Sequence, residues 1–500
     1  WRGVARSIFR RVSQHPARFR EAKGNARHHC ETSSLARSIF TKMTQPSSQP
    51  SSQAPGPGLI AFLLGVRQYG FLDLVGRLWR KYGDIFQVRI GKNQLFFAIH
   101  PDHVEHVNVS HRQSYDKRKS YDSVRKFLLG EGLVASTGDL WKRQRKLMAP
   151  FYTPKGVTAY AELMLRDGAR LVERWQQLAS QGTQVDIAEE MTFVTASIIL
   201  KAMFSTETME SIHQIKDAVE TMITYVSGQM TGIALPLWLP TPKNRKYQAA
   251  RNLVHQSIET LLTQRRNSPE SDWPDDLLSR LMTVRDEETG LAMSASLLRD
   301  ESITTFFAGH ETTARTMTFT WYALAANPKV TERLHAELDR VLGGRSPTVE
   351  DLRQLPFTVA VVKEVLCLYS AAPFYVRDAL EDDKLAGFDV PAGAAVMLSP
   401  YYTHRHPKFW TDPDVFDPDR WTKDKEEGRH HYAYHPFAVG PRICIGNNFS
   451  LLESHLLLAL LAQRFTPRLR PGYTPHWIMQ GTLGLHGGLP MVIVPRTAAR

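Results

Sequence analysis

Cys444 lies between Gly440 and Gly446, with Arg442 two residues before it and a leucine-rich run to about Phe465 behind it. A helix N-terminus and a nearby cation both lower a thiol's pKa, so this placing predicts a thiolate. The two glycines allow tight turns and let backbone N–H groups approach the sulfur. A sulfur held in this way suits a soft metal centre; on its own, Cys444 also reads as a small core hydrophobe in a glycine turn. A second concentration of chemistry is Ala308-Gly309-His310-Glu311-Thr312-Thr313. It lies inside a run from Leu297 to Ala326 that reads as one long helix stopped by Asn327-Pro328. Glycine and hydroxyl residues in a helix interior oppose helix propensity and open the hydrogen-bond ladder. A carboxylate beside an alcohol relays protons, although a threonine so placed also bonds its own i−4 carbonyl. His310 reads as a satisfied helix residue, not a ligand.

The pattern Phe437-x-x-Gly440-x-Arg442-x-Cys444-x-Gly446 is similar at every position to the haem-binding loop of the cytochrome P450 family, in which a cysteine thiolate holds the haem iron. The resemblance implies haem b, with Cys444 as its axial iron ligand, Phe437 packed beside the sulfur and Arg442 paired with a propionate. Ala308–Thr313 resembles that family's [AG]-G-x-[DE]-T-[TS] motif, which implies that Thr312 stabilises the iron-bound oxygen and Glu311 helps relay protons to it. Trp141 and Arg145, four apart and so on one helical face, resemble its W-x-x-x-R pair. Those two and Arg377 are then expected at a propionate. The same likeness puts Phe374, Val376, the stretch from Tyr115 to Leu129 and the apolar region Ile223–Leu239 around the substrate pocket. Core or surface roles explain these residues equally well when each is taken alone.

The likeness breaks at one position. The family pairs E-x-x-R with a second arginine, and here Glu364 and Arg420 are present but Cys367 stands where the first arginine belongs. A thiol donates at most one weak hydrogen bond and cannot replace a bidentate guanidinium. Glu364 would keep only Arg420, and losing half of a buried network costs about 3–5 kcal/mol. On this reading Cys367→Arg raises melting temperature and haem occupancy.

These motifs must be positioned by a chain of 500 residues, 42% hydrophobic and 22% charged, which is an ordinary globular composition. Its formal charge is +12, but residues 1–42 carry ten Lys/Arg against two acids, or +8 of that total. The body is therefore no basic nucleic-acid binder. Cys30, Cys367 and Cys444 make no disulfide framework, which fits a reducing compartment. Residues 1–54 read as a basic leader followed by a Ser/Pro/Gln linker. Met43 is expected to be the true start, with an organelle transit peptide as the less favoured reading. Leu59–Leu64 is far short of the roughly 20 apolar residues that span a bilayer.

Tyr82–Ile90 and Gln94–Ile99 read as a β-hairpin, and helical patterns dominate from Pro101 to about Gln264. The expected fold is a mainly α single domain with a small β region (α+β), spanning 55–500, with the haem of a cytochrome P450 fold between the Leu297–Ala326 helix and the Cys444 loop. The implied activity is insertion of one oxygen atom from O2 into a hydrophobic small molecule. Electrons are expected from a separate ferredoxin- or flavodoxin-type donor with its reductase, to a cytoplasmic monomer. Lys142, Arg143 and Lys146 offer a basic docking patch for that donor or a plain solvated face. A peroxide-using or isomerase-type haem-thiolate enzyme is one alternative, opposed by the intact Glu311-Thr312 pair. A degenerate, non-catalytic haem binder is the other, and Cys367 favours it.

Overall fold

A computed structural model of the chain describes residues 52–205, 209–231, 236–466 and 468–496. The basic leader, Cys30 and Met43 lie outside the described residues, as do Ile233 and Leu235 of the expected pocket cover. Helices α1 (Leu59–Tyr69) and α2 (Phe71–Tyr82) meet at Gly70, whose φ of +78° favours glycine. Strands β1 (Ile85–Ile90) and β2 (Asn93–Ala98) then form the expected hairpin, with Ile90 opposite Asn93. After α3 (Pro101–Glu105) and β3 (Tyr115–Asp116) come, among shorter turns of helix, α4 (Gly138–Met148), α5 (Ala161–Ser180), α6 (Ile187–Phe204), α7 (Met209–Thr231) and α8 (Pro242–Asn267).

Helix α9 (Ala295–Ala326) is the axis of the molecule. Its 32 residues reach about 48 Å at 1.5 Å per residue. Ser294 caps it by accepting from the Leu297 N–H at 3.2 Å, and Asn327-Pro328 ends it. The helix is buried over most of its length although it is rich in threonine. Thr316, Thr318 and Thr320 solve this internally, each hydroxyl donating to the carbonyl four residues back at 2.7–3.0 Å. Satisfied in that way, they enter the core without an unpaired donor. Gly309 serves close packing: a Cβ there would stand 2.9 Å from Cγ1 of Ile199 on α6.

The chain continues through α10 (Pro328–Leu342), α11 (Pro356–Leu368), β4 (Tyr375–Ala379), β5 (Ala395–Leu398), α12 (Asn447–Ala462), β6 (Trp477–Gln480) and β7 (Thr482–Leu485). Helix α12 is the leucine-rich run behind Cys444, and Leu456 to Ala462 are buried without a break. At roughly 1.5–3 kcal/mol for each fully buried leucine, this segment alone supplies a large driving force for docking on α5, α9 and α11. The five-stranded sheet has the order β1-β2-β5-β4-β3, with only β2 and β5 parallel. It sets Asp116 on β3 opposite Asp378, one residue along β4 from Arg377. No described helix is long and apolar enough to cross a membrane.

Candidate active site

The Cys444 loop is a tight turn closed by the Cys444 N–H donating to the Phe437 carbonyl at 2.9 Å. Gly440 has φ +72°, and a Cβ there would stand 2.1 Å from the Asn108 carbonyl oxygen, so glycine is required twice over. Gly446 differs from expectation. Its φ is −85°, it caps α12, and its value is close approach: an added Cβ would rest 4.0 Å from the cysteine sulfur. Cys444 is accessible although the loop is enclosed by protein. Burial pushes its thiol up, and the Gly446 N–H, Arg145 and Lys117 only partly offset this. The expected lowering therefore fails for the bare loop, because desolvation outweighs the helix terminus and the cations. A coordinated metal ion deprotonates such a thiol outright.

Around the sulfur the structure gathers most of the expected residues. Arg145 Nη1 donates to the Ile443 carbonyl at 2.8 Å, one residue from Cys444. Trp141, one turn earlier on α4, lies under Arg442, whose guanidinium is 3.9 Å from the ring centroid. Arg442 also donates to the Ser136 carbonyl at 2.9 Å and pairs with buried Asp116. Phe437 is partly buried against the main core. Arg377 is buried on β4, donating to its neighbour's carbonyl, Val376, at 2.9 Å.

Lys117 joins this group and was not foreseen. Its ammonium donates to the Val134 carbonyl at 2.9 Å. Burial, then Arg377 and Arg442 beside it, hold its pKa well below the usual lysine value. Burial likewise lowers Arg442 to about 10 against the pull of Asp116. Nothing in the Tyr115-Asp116-Lys117 sequence marks this role; only the β3–β4 pairing brings Lys117 to Arg377.

On α9 the helix runs unbroken through Gly309–Thr313, so the expected opening of its hydrogen-bond ladder is not seen. Thr312 Oγ1 donates to the Ala308 carbonyl at 2.7 Å, the local bond open to any helical threonine. Glu311 Oε1 accepts from Thr482 Oγ1 at 2.6 Å and stands 3.5 Å from Arg315, while its Oε2 is buried without a partner. Thr313 Oγ1 donates to Ser450 Oγ at 3.0 Å, which ties this turn to the first turns of α12 behind Cys444. His310 is buried, bonded through Nδ1 to the Phe306 carbonyl and stacked on Phe306, as expected of a structural histidine.

The Glu364 site corrects the reading of Cys367. Glu364 is fully buried, and its Oε1 accepts from Arg420 Nε and the Asp417 N–H, each at 2.9 Å. Oε2 accepts from the Trp421 indole at 2.8 Å. Arg420 is also satisfied, donating to the Thr411, Asp412 and Val415 carbonyls. Both carboxylate oxygens thus have donors without a second arginine. The place where one would stand holds a packed cluster of Cys367, Trp410 and Trp421. His404 links this cluster to the cysteine loop, meeting the Cys367 carbonyl through Nδ1 at 3.0 Å and accepting the His435 N–H through Nε2 at 2.9 Å.

Other expectations shift. Phe374 packs on Phe71 and Tyr402 in the N-terminal cluster, and Trp238 is 80% exposed. Lys142, Arg143 and Lys146 are answered by Asp139, Asp286 and Glu287, which spends much of a basic patch.

The residues present fit haem b. Cys444 is accessible, Lys117 and Arg145 lie beside it, and Arg377 and Arg442 lie beside Lys117 with Asp116 as the paired carboxylate. The surplus of enclosed positive charge matches a planar cofactor bearing two carboxylates. Residues 50–493 match the family model described as Cytochrome P450. The chain is 33% identical over 470 residues to the cyclooctat-9-en-7-ol 5-monooxygenase of Streptomyces melanosporofaciens, covering 91% of this chain and 98% of that protein. It is 29% identical to the pentalenene oxygenase of Streptomyces avermitilis, covering 80% and 91%. The crystal structure of the cytochrome P450DA heme domain superposes with a TM-score of 0.78 at 28% identity, covering 84% of this chain and 92% of that one.

Proposed function

From the premise that the chain belongs to the cytochrome P450 family and is a haem-dependent monooxygenase, we propose that it inserts one oxygen atom into an apolar, unsaturated small molecule. The two electrons come singly from a separate ferredoxin- or flavodoxin-type donor and its reductase. Two relatives, the cyclooctat-9-en-7-ol 5-monooxygenase and the pentalenene oxygenase, are named for an alkenol and an alkene, which supports such a skeleton as the substrate class. When bound, haem b supplies the iron that activates dioxygen, with a thiolate ligand favouring O–O cleavage.

The chain's own residues then divide the work. Cys444 supplies the thiolate. Trp141, Lys117, Arg145, Arg377 and Arg442 would hold the cofactor's two carboxylates. Glu311 relays a proton through its unpartnered carboxylate oxygen, and Thr312 passes it on by turning its hydroxyl away from the Ala308 carbonyl. A carboxylate and an alcohol in sequence move protons without admitting bulk water to the site.

The observation that carries this reading is the convergence of an accessible cysteine sulfur with four enclosed cations. The test is the absorption of the reduced CO complex, with turnover by NAD(P)H and a ferredoxin or flavodoxin system. A thiolate-type Soret band lost in Cys444→Ser supports the assignment. A Cys444→Ser variant that still oxidised its substrate at full rate would overturn it, and product formed only with peroxide, never with the donor system, would remove the electron donor. Sedimentation of the holoenzyme as a single chain, recovered without detergent, tests the monomeric, cytoplasmic reading.

A further inference from the structure

Away from the cysteine loop, a cavity of about 410 Å³ opens where α2 hands over to β1 and α3 begins. Asp84, His100 and His103 line it. Ligand atoms of Asp84, His100 and His406 all lie within 4.8 Å of one another. Asp84 Oδ1 is 3.0 Å from Nε2 of His406, which is 2% exposed, and also accepts from the Trp79 indole at 2.9 Å. The backbone there is pinned, because the Asp84 carbonyl accepts the Ile99 N–H at 2.9 Å. His103 is 7% exposed, its Nδ1 has no hydrogen-bond partner, and its ring centroid is 5.7 Å from that of His100.

A structural Asp84–His406 pair accounts for two of these groups. His100 also caps α3, its Nδ1 accepting the Asp102 N–H at 3.2 Å; what stays unexplained is why a buried imidazole nitrogen on the same cavity is unpaired, at a cost of about 1–3 kcal/mol. We propose that Asp84, His100 and His406 form a binding site for a divalent first-row transition ion, Zn²⁺ foremost, with His103 or water as the fourth ligand.

Two imidazoles and a carboxylate with one open position are a zinc-type donor set. Bonds of about 2.0–2.1 Å at tetrahedral angles put ligand atoms about 3.3 Å apart. Asp84 and His406 already meet that spacing, and His100 has to close by at most about 1.5 Å, within reach of side-chain rotation. An ion here would join the α2–β1 corner, the start of α3 and the segment leading from His404, which contacts the cysteine loop.

The test uses haem-loaded protein, stripped with a chelator and titrated with zinc chloride. The readouts are metal content after dialysis and the melting temperature. One Zn²⁺ per chain and a saturable rise in melting temperature are expected. His100→Ala, at the partly exposed member, should weaken binding about 10- to 100-fold and abolish the rise, while its zinc-free haem spectrum stays that of the parent. His111→Ala, in the separate His106–His111–Asp383 cluster, should change neither readout. No zinc retained at submillimolar concentration, zinc that survives His100→Ala, or zinc lost in His111→Ala would each overturn the proposal.

Discussion

Thr482 Oγ1 donates to Glu311 Oε1 at 2.6 Å, so the β6–β7 hairpin is fastened to the middle of α9 through the carboxylate assigned to proton delivery. Arg315 approaches the same oxygen at 3.5 Å, and the other oxygen is unpartnered. One side of the carboxylate is anchored and the other is left to exchange protons.

Thr482→Val removes the anchor and keeps the shape. Turnover is expected to fall about tenfold, well short of the 10²–10⁴ that losing a proton-transfer group outright costs. Product formed per electron consumed should fall as well, with haem content unchanged. Coupling equal to the parent's would show that the anchor is only structural.

Lys117 sits among Arg377 and Arg442, with its charge disfavoured by burial first and by those neighbours second. Two cofactor carboxylates reverse that balance, so Lys117→Met should act with opposite signs on the two forms. Haem should dissociate about tenfold faster, a loss of about 1.4 kcal/mol. The haem-free chain should unfold at equal or higher denaturant concentration. Transfer of haem to apomyoglobin and urea unfolding measure the two, and a parallel loss in both would refute the assignment.

The legibility of this site follows its physics. A metal-ligating loop needs one side chain and fixed turns at fixed spacing, so Phe437, Gly440, Arg442 and Cys444 were readable and lie together. The long helix was readable from its period and its Asn327-Pro328 stop, and is two residues longer at its start. Lys117 and Thr482 were not, because strand pairing and the terminal hairpin deliver them from hundreds of residues away. The direction of the Cys444 shift is not legible in sequence for a related reason. Helix ends and nearby cations are visible in sequence, whereas the desolvation that dominates here depends on how the loop is enclosed.

The same reasoning reverses the expectation for Cys367. The thiol is 1% exposed, Glu364 beside it already has donors on both oxygens, and Arg405, Arg420 and Arg429 surround it. Cys367→Arg would force a fourth guanidinium into a packed aromatic cluster and should lower the melting temperature, with overpacking alone costing about 1–3 kcal/mol. Trp421→Phe, which removes the indole donor to Glu364, should cost about 1.5–3 kcal/mol, the range for hydrogen bonds to charged groups. Thermal melts of the two holoproteins check both, and a more stable Cys367→Arg protein would restore the reading in which Glu364 is short of a partner.

Glu301 gives a pH signature. It is fully buried on α9, its Oε2 accepts the Leu133 N–H at 3.0 Å, and burial, with Asp300 beside it, pushes its carboxyl up from 4.5 to about 8. Between those two values the folded chain holds a proton that the unfolded chain has released. Stability from this group is therefore complete at low pH, falls as pH rises through that interval at up to about 1.4 kcal/mol per unit, and levels off above 8. Glu301→Gln keeps an acceptor for Leu133 and cannot ionise. Histidines held neutral by burial, such as His103 and His435, contribute the opposite slope at acid pH, but equally in both proteins. Denaturant unfolding should find parent and variant closest at pH 5 and the variant ahead by pH 8.5; parallel curves over that range would show that Glu301 is ionised in the folded chain.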